Sequence, residues 1–277
     1  MRISKTLAGT TLALALATGV GLAAPVPALA ATGTSDVSVL HGVPGLTVDV
    51  YANGKPLLTA FKPGTLTDPV KLPAGSYDLA VFPEGKGPSG TPAVEAKGVA
   101  VPAGANITVV AHLDAAGKPV LTPFVNDTSR TAPGKARITV RHTAAAPAVD
   151  VRANGTVAFP ALTNPKEAKA DLDAGTIKAD VVLAGTSTVA LGPADLNLAE
   201  GTNTIVYAWG SATDKNLALA VQTISGLHKA PSGVPSGTGG LVDDRMPLPL
   251  IALSLAGLAG VALATRRFTA ARADARG

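Results

Sequence analysis

Apolar and polar residues alternate along most of the chain. Val48 and Val50 interleave with Thr47, Asp49 and Tyr51, the period-two pattern of a half-buried strand. Asn53-Gly54 follows, a dipeptide that supports positive φ at both centres of a two-residue hairpin. The pattern predicts strands at 36–41, 47–52, 55–58, 68–72, 77–82, 94–101, 107–113 and 120–125, with turn residues between them. Corresponding strands are expected at 176–183 and 202–209.

The pattern also repeats. His41, Val48-Asp49-Val50 and Ala52-Asn53-Gly54 recur as His142, Val149-Asp150-Val151 and Ala153-Asn154-Gly155, at a constant offset of 101 residues. Leu72-Pro73-Ala74-Gly75 matches Leu172-Asp173-Ala174-Gly175, and Pro102-Ala103-Gly104-Ala105-Asn106 matches Ala199-Glu200-Gly201-Thr202-Asn203. Short strands with regular turn signals predict an all-β chain of two tandem immunoglobulin-like antiparallel β-sandwich domains, residues 31–127 and 136–225. Residues 128–135 read as a linker, and 226–246, rich in Gly, Pro and Ser, as a flexible stalk.

Two segments break the alternation. Near the N-terminus, Arg2 and Lys5 precede an uncharged apolar stretch, Pro25 and Pro27, and Ala28-Leu29-Ala30. This predicts a secretory signal peptide over 1–30, cleaved between Ala30 and Ala31. Near the C-terminus, Met246 to Thr265 is 20 residues without charge, enough to span a bilayer as a helix. A transmembrane helix is expected over 247–265. Arg266 and Arg267 open a basic tail, 266–277, that would stay cytoplasmic and leave the body outside. The layout resembles the sorting signals of bacterial wall-anchored proteins, but Leu248-Pro249-Leu250-Ile251-Ala252 lacks the threonine and glycine of their pentapeptide. A retained single-pass anchor in the cell membrane is therefore expected.

Charge and composition narrow the function classes. The chain is formally +4, yet between Ala31 and Arg245 it holds 17 basic and 18 acidic residues. A near-neutral body with few aromatics lacks the footprint of a nucleic-acid binder. With no cysteine, each domain must bury its own core. No nucleophile elbow, phosphate loop or dinucleotide fingerprint occurs, so no enzyme, cofactor or metal is expected.

The candidate ligand residues are His41 with Asp49, and His142 with Asp150. Each pair could bind a metal or small ligand, but the preferred reading is that each histidine bonds loop backbone while each aspartate tethers the hairpin turn. Tyr207 and Trp209 share one face of a strand, as a glycan grip or, preferred, as core or cover for a domain seam. Asn106, Asn126 and Asn154 stand in Asn-x-Ser/Thr triplets.

The repeated residues resemble the bacterial domain-of-unknown-function family 4397. Its members have an apolar strand ending in His, a Pro-containing loop, Ala-Val-Asp-Val-Tyr and a turn. His41, Val48-Asp49-Val50-Tyr51, Leu72-Pro73-Ala74-Gly75-Ser76-Tyr77 and Ala103-Gly104-Ala105-Asn106-Ile107-Thr108-Val109-Val110 fit that pattern. The second copy fits through His142, Pro147-Ala148-Val149-Asp150-Val151 and Asn154-Gly155, and more loosely afterwards. Neither copy has the aspartate that members often carry after the histidine. The resemblance implies a secreted or surface β-sandwich in bacteria and no activity. The expectation is a surface module for adhesion, scaffolding or protein binding, with the lipid bilayer and another envelope protein as partners. The alternative is a ligand-binding or sensory ectodomain for a small molecule or envelope polysaccharide.

Overall fold

Each copy of the repeat becomes eight strands. The computed structural model describes residues 33–228. The first lobe contains β1 (Thr34–Gly42), β2 (Val48–Ala52), β3 (Lys55–Phe61), β4 (Val70–Pro73), β5 (Gly75–Pro83), β6 (Val94–Val101), β7 (Asn106–Leu113) and β8 (Pro119–Val125). The second contains β9 (Lys135–Ala145), β10 (Val149–Ala153), β11 (Thr156–Leu162), β12 (Glu167–Asp173), β13 (Gly175–Leu183), β14 (Val189–Leu198), β15 (Asn203–Ser211) and β16 (Ala218–Ile224). The signal peptide with Ala30 and Ala31, the membrane helix, Arg266 and Arg267, and all but the first three stalk residues lie outside the described residues. Among those described, no helix is long and apolar enough to cross a membrane.

In the first lobe one sheet runs β4-β1-β7-β8 and the other β3-β2-β5-β6; the second repeats this as β12-β9-β15-β16 and β11-β10-β13-β14. The expectation of purely antiparallel sheets needs correction, because β1 pairs with β7, and β9 with β15, in parallel. Five strands separate the members of each pair. The chain visits the facing sheet before it returns, so no hairpin forces opposite directions.

Both Asn-Gly turns adopt the left-handed conformation at each centre, with φ of 50° and 74° at Asn53 and Gly54 and of 51° and 79° at Asn154 and Gly155. The asparagine side chains reach onward to β5 and β13. Asn53 Oδ1 accepts from the Asp78 N–H at 2.8 Å, and Asn154 Oδ1 from the Lys178 N–H at 2.9 Å. Strand β3 runs further than alternation predicts because a bulge re-phases it, with Ala60 at a φ of 49°.

Inside the first lobe, Val37, Ile107 and Val109 meet Leu79, Val99 and Val101 across the sandwich. Ile138, Val140, Val151 and Val181 do the same in the second. A further core joins the lobes. Leu40, Val110 and Phe124 pack with Ile205, Tyr207 and Ala220. The outer face of the β1 sheet thus lies on the outer face of the β9 sheet, stacking four sheets in series. Strands β7, β9 and β15 are consequently buried on both faces along nearly their whole length. The two lobes form one compact unit that ends at Leu227.

Candidate functional site

The predicted ligand residues lie on the first two strands of each lobe, His41 and His142 on β1 and β9 and Asp49 and Asp150 on β2 and β10, and each is occupied by backbone. His41 is buried and stacks on Phe61 with ring centroids 5.6 Å apart. Its Nε2 donates to the Leu46 carbonyl at 2.7 Å, while Nδ1 faces the Val43 N–H at 3.4 Å. His142 repeats this with the Pro147 carbonyl at 3.0 Å and the Ala144 N–H at 3.4 Å. Burial pushes both imidazoles below their ordinary pKa, against the opposing pull of the carbonyl each donates to. A proton on Nδ1 would also confront a backbone N–H at each histidine, from Val43 or Ala144.

Asp49 holds the bulge. Its Oδ1 accepts from the Ala60 N–H at 2.9 Å and its Oδ2 from the Gly85 N–H at 2.8 Å. Asp150 accepts from Ala161 at 2.7 Å and Gly185 at 2.8 Å, and these two bonds lower its carboxyl pKa. The bulge leaves one peptide N–H outside the β2–β3 ladder, and the carboxylate supplies the missing acceptor. Among the described residues no three His, Cys, Asp or Glu side chains converge as a metal site.

The densest polar chemistry lies between the lobes. Arg141 on β9 is only 1% exposed. Its Nε donates to Glu167 at 2.8 Å, and its Nη1 donates to Asn126 Oδ1 and Tyr207 Oη, both at 2.8 Å. The guanidinium sits 4.4 Å from the Phe124 ring centroid. Tyr207 in turn donates to Gln222 Oε1 at 2.7 Å, and Thr108 donates to the same oxygen at 2.9 Å. Burial raises the Tyr207 phenol pKa, with the Arg141 charge acting against it. Phe124, Asn126 and Thr108 belong to the first lobe; Arg141, Glu167, Tyr207 and Gln222 belong to the second.

A second group borders this one. Arg137 pairs with Asp171 through two bonds, at 2.7 and 3.0 Å, and with Asp127 at 2.8 Å, while Lys169 reaches Asp127 at 2.5 Å. Burial disfavours ionisation of Asp127, but bonds from Lys169 and Ser129 and the Arg137 charge outweigh it and hold its carboxyl far below the ordinary range. The loop between β8 and β9, which reads as a polar linker, is therefore pinned to the second lobe. Thr131 within it is buried and takes its backbone partner from Leu227 at 2.8 Å.

Alternation alone misses this network. Arg137, Thr139 and Arg141 alternate with Ala136, Ile138 and Val140, and alternation does not say whether the polar face is covered. The signal that points to the seam is adjacency: Val109-Val110 and Ile205-Val206-Tyr207 place apolar groups on both faces of their strands. Tyr207 and Trp209 both lie in the seam. Gly64 makes room for the indole, since a methyl there would stand 2.9 Å from its Cζ2. Asn126, in one of the three triplets, is buried at 3% exposure.

Where the seam reaches the surface it opens into a groove of about 400 Å³, walled by Thr67 and Asp68 of the first lobe and by Val221 and Thr223 of β16. Ser38 and Gln222, at its base, connect it to the buried network.

Residues 35–152 match the family model described as Domain of unknown function (DUF4397). The matched stretch begins at the second residue of β1, runs through β8 and continues into β10 of the second lobe. No curated protein matches the chain.

Proposed function

We infer that this chain, whose residues 35–152 belong to the DUF4397 family, is a membrane-anchored bacterial surface protein that presents two joined β-sandwich lobes of immunoglobulin-like type for protein binding. The signal peptide, stalk, membrane helix and Arg266-Arg267 tail of the sequence reading supply export, tether and orientation. The rigid double lobe supplies the binding body.

One observation carries the reading. Strand β16 ends its sheet, with Val221 exposed, and the 400 Å³ groove runs beside it. An edge strand offers unpaired N–H and C=O groups, and an adjacent groove offers room for alternate side chains. Together they suit an added strand from a partner protein. The seam keeps the two walls of the groove, one from each lobe, at a fixed spacing.

The test is site-specific photocrosslinking on intact cells from a photoreactive residue at Thr223, read by mass spectrometry. The expected result is one defined envelope protein, lost when Val221→Lys places a charge on the edge. Capture of polysaccharide or a small molecule instead would favour a ligand-binding ectodomain. Release of the full-length chain from envelopes by alkali, or its resistance to external protease on whole cells, would overturn the anchored topology.

A further inference from the structure

The two lobes share one fold, so a space filled in one and open in the other marks where their side chains differ. In the first lobe the mouth of the sandwich between edge strands β3 and β4 is closed. Leu57, Tyr77 and Leu79 project into it, and the Tyr77 hydroxyl donates to the Pro73 carbonyl at 2.8 Å, holding the ring across the opening. The interior retains a void of only about 20 Å³.

The ladder registers identify the counterparts. Leu58 opposes Val50 as Phe159 opposes Val151, and Leu79 opposes Ala52 as Ala179 opposes Ala153. Leu57, Tyr77 and Leu79 thus become Ala158, Ile177 and Ala179. With two leucines reduced to alanine and the tyrosine lid gone, the mouth between β11 and β12 opens into a cleft of about 240 Å³. Its floor is Ile138 and Val151, both buried, and its walls include Phe159, Leu172 and Ile177. The one charged side chain at the cleft, Arg152, is held by Asp180 through two bonds at 2.7 and 2.6 Å, so an anionic head group would compete with a formed pair.

We propose that this cleft in the second lobe binds a small uncharged apolar molecule, an alkyl or aryl group of about six to ten heavy atoms. The size follows from volume. A dry apolar cavity of about 150 Å³ accepts benzene, and this cleft is larger. The chemistry follows from the walls, which apart from the paired Arg152 are apolar, give water few partners and so favour its displacement by hydrocarbon. The site is separate from the β16 edge, and either reading can fail without the other.

The test uses residues 33–228, which contain every strand and apolar cluster described above, with ¹³C-methyl NMR and n-butylbenzene as the probe. Saturable shifts are expected at Ile138, Val151 and Ile177, with Val37, Val50 and Leu57 of the first lobe unmoved. No saturable shift up to the solubility limit, or equal shifts in both lobes, would overturn the proposal. Restoring the first lobe's residues, Ala158→Leu with Ala179→Leu, is expected to weaken binding at least tenfold and to raise Tm. Retained affinity in that variant would also overturn it. If the double variant does not fold, Ala179→Leu alone must weaken binding, and unchanged affinity there refutes the site.

Discussion

Arg141 and Tyr207 stand opposite each other in the parallel β9–β15 ladder, and the Arg141 Nη1 donates to the Tyr207 oxygen at 2.8 Å. The pair sits where the sheets of the two lobes meet. It converts a polar strand face into an internal surface, because the guanidinium satisfies Asn126 of the other lobe in the same plane.

Removing the cation would leave Asn126 and Tyr207 without their donor in a buried site, while Glu167, whose side chain is 34% exposed, would turn to water. Arg141→Met is expected to cost about 2–4 kcal/mol, read from the shift of the urea midpoint. Arg141→Lys is expected to recover little, since an ammonium cannot match the planar fork or stack over Phe124.

The shared core makes the lobes thermodynamically dependent on each other. Phe124→Ala, a change in the first lobe alone, is expected to destabilise both by about 3–5 kcal/mol. Methyl signals from Val37 and Val151 should melt together in wild type and variant. Two separate transitions in calorimetry would contradict this.

Asp49 and the bulge at Ala60 can be tested from both sides. Asp49→Ala leaves the Ala60 and Gly85 N–H groups without their acceptor and is expected to lower stability by about 2–4 kcal/mol. Ala60→Gly relieves the left-handed φ of 49° and is expected to raise it by up to about 1 kcal/mol. Urea titration of both variants checks the pair.

His41, His112 and His142 all have pKa values lowered chiefly by burial. The unfolded chain therefore binds more protons than the folded one as pH drops below the ordinary histidine value near 6.5. Their contribution is fully present above that value and is lost as pH falls through it toward each folded pKa. Tm should decline between about pH 7 and pH 5, and histidine ring-proton shifts should titrate below their peptide values. A Tm that rises over that window would contradict the burial of these rings.

Much of the fold is legible from local rules. Val48 and Val50, Asn53-Gly54 and their counterparts 101 residues later carry period, turn and repeat in contiguous text. Backbone sterics and one-sided burial act over a few residues, so they leave a readable trace. The His and Asp positions are legible too, but only as alternatives, because the choice between ligand and backbone partner depends on a loop whose path the text does not specify.

What the sequence by itself determined is the strands of the first lobe and two of the second, the duplication and the two chemically distinct ends. What only the tertiary structure decided is that the faces carrying Arg137, Thr139 and Arg141 are internal, that β1 and β7 run parallel, and that the second lobe is hollow where the first is filled. The reason is physical. Alternation records which residues share a strand face, whereas burial of that face is conferred by a surface on the other lobe, distant along the chain. Arg141 is internal because Phe124 and Asn126 of the first lobe close over it.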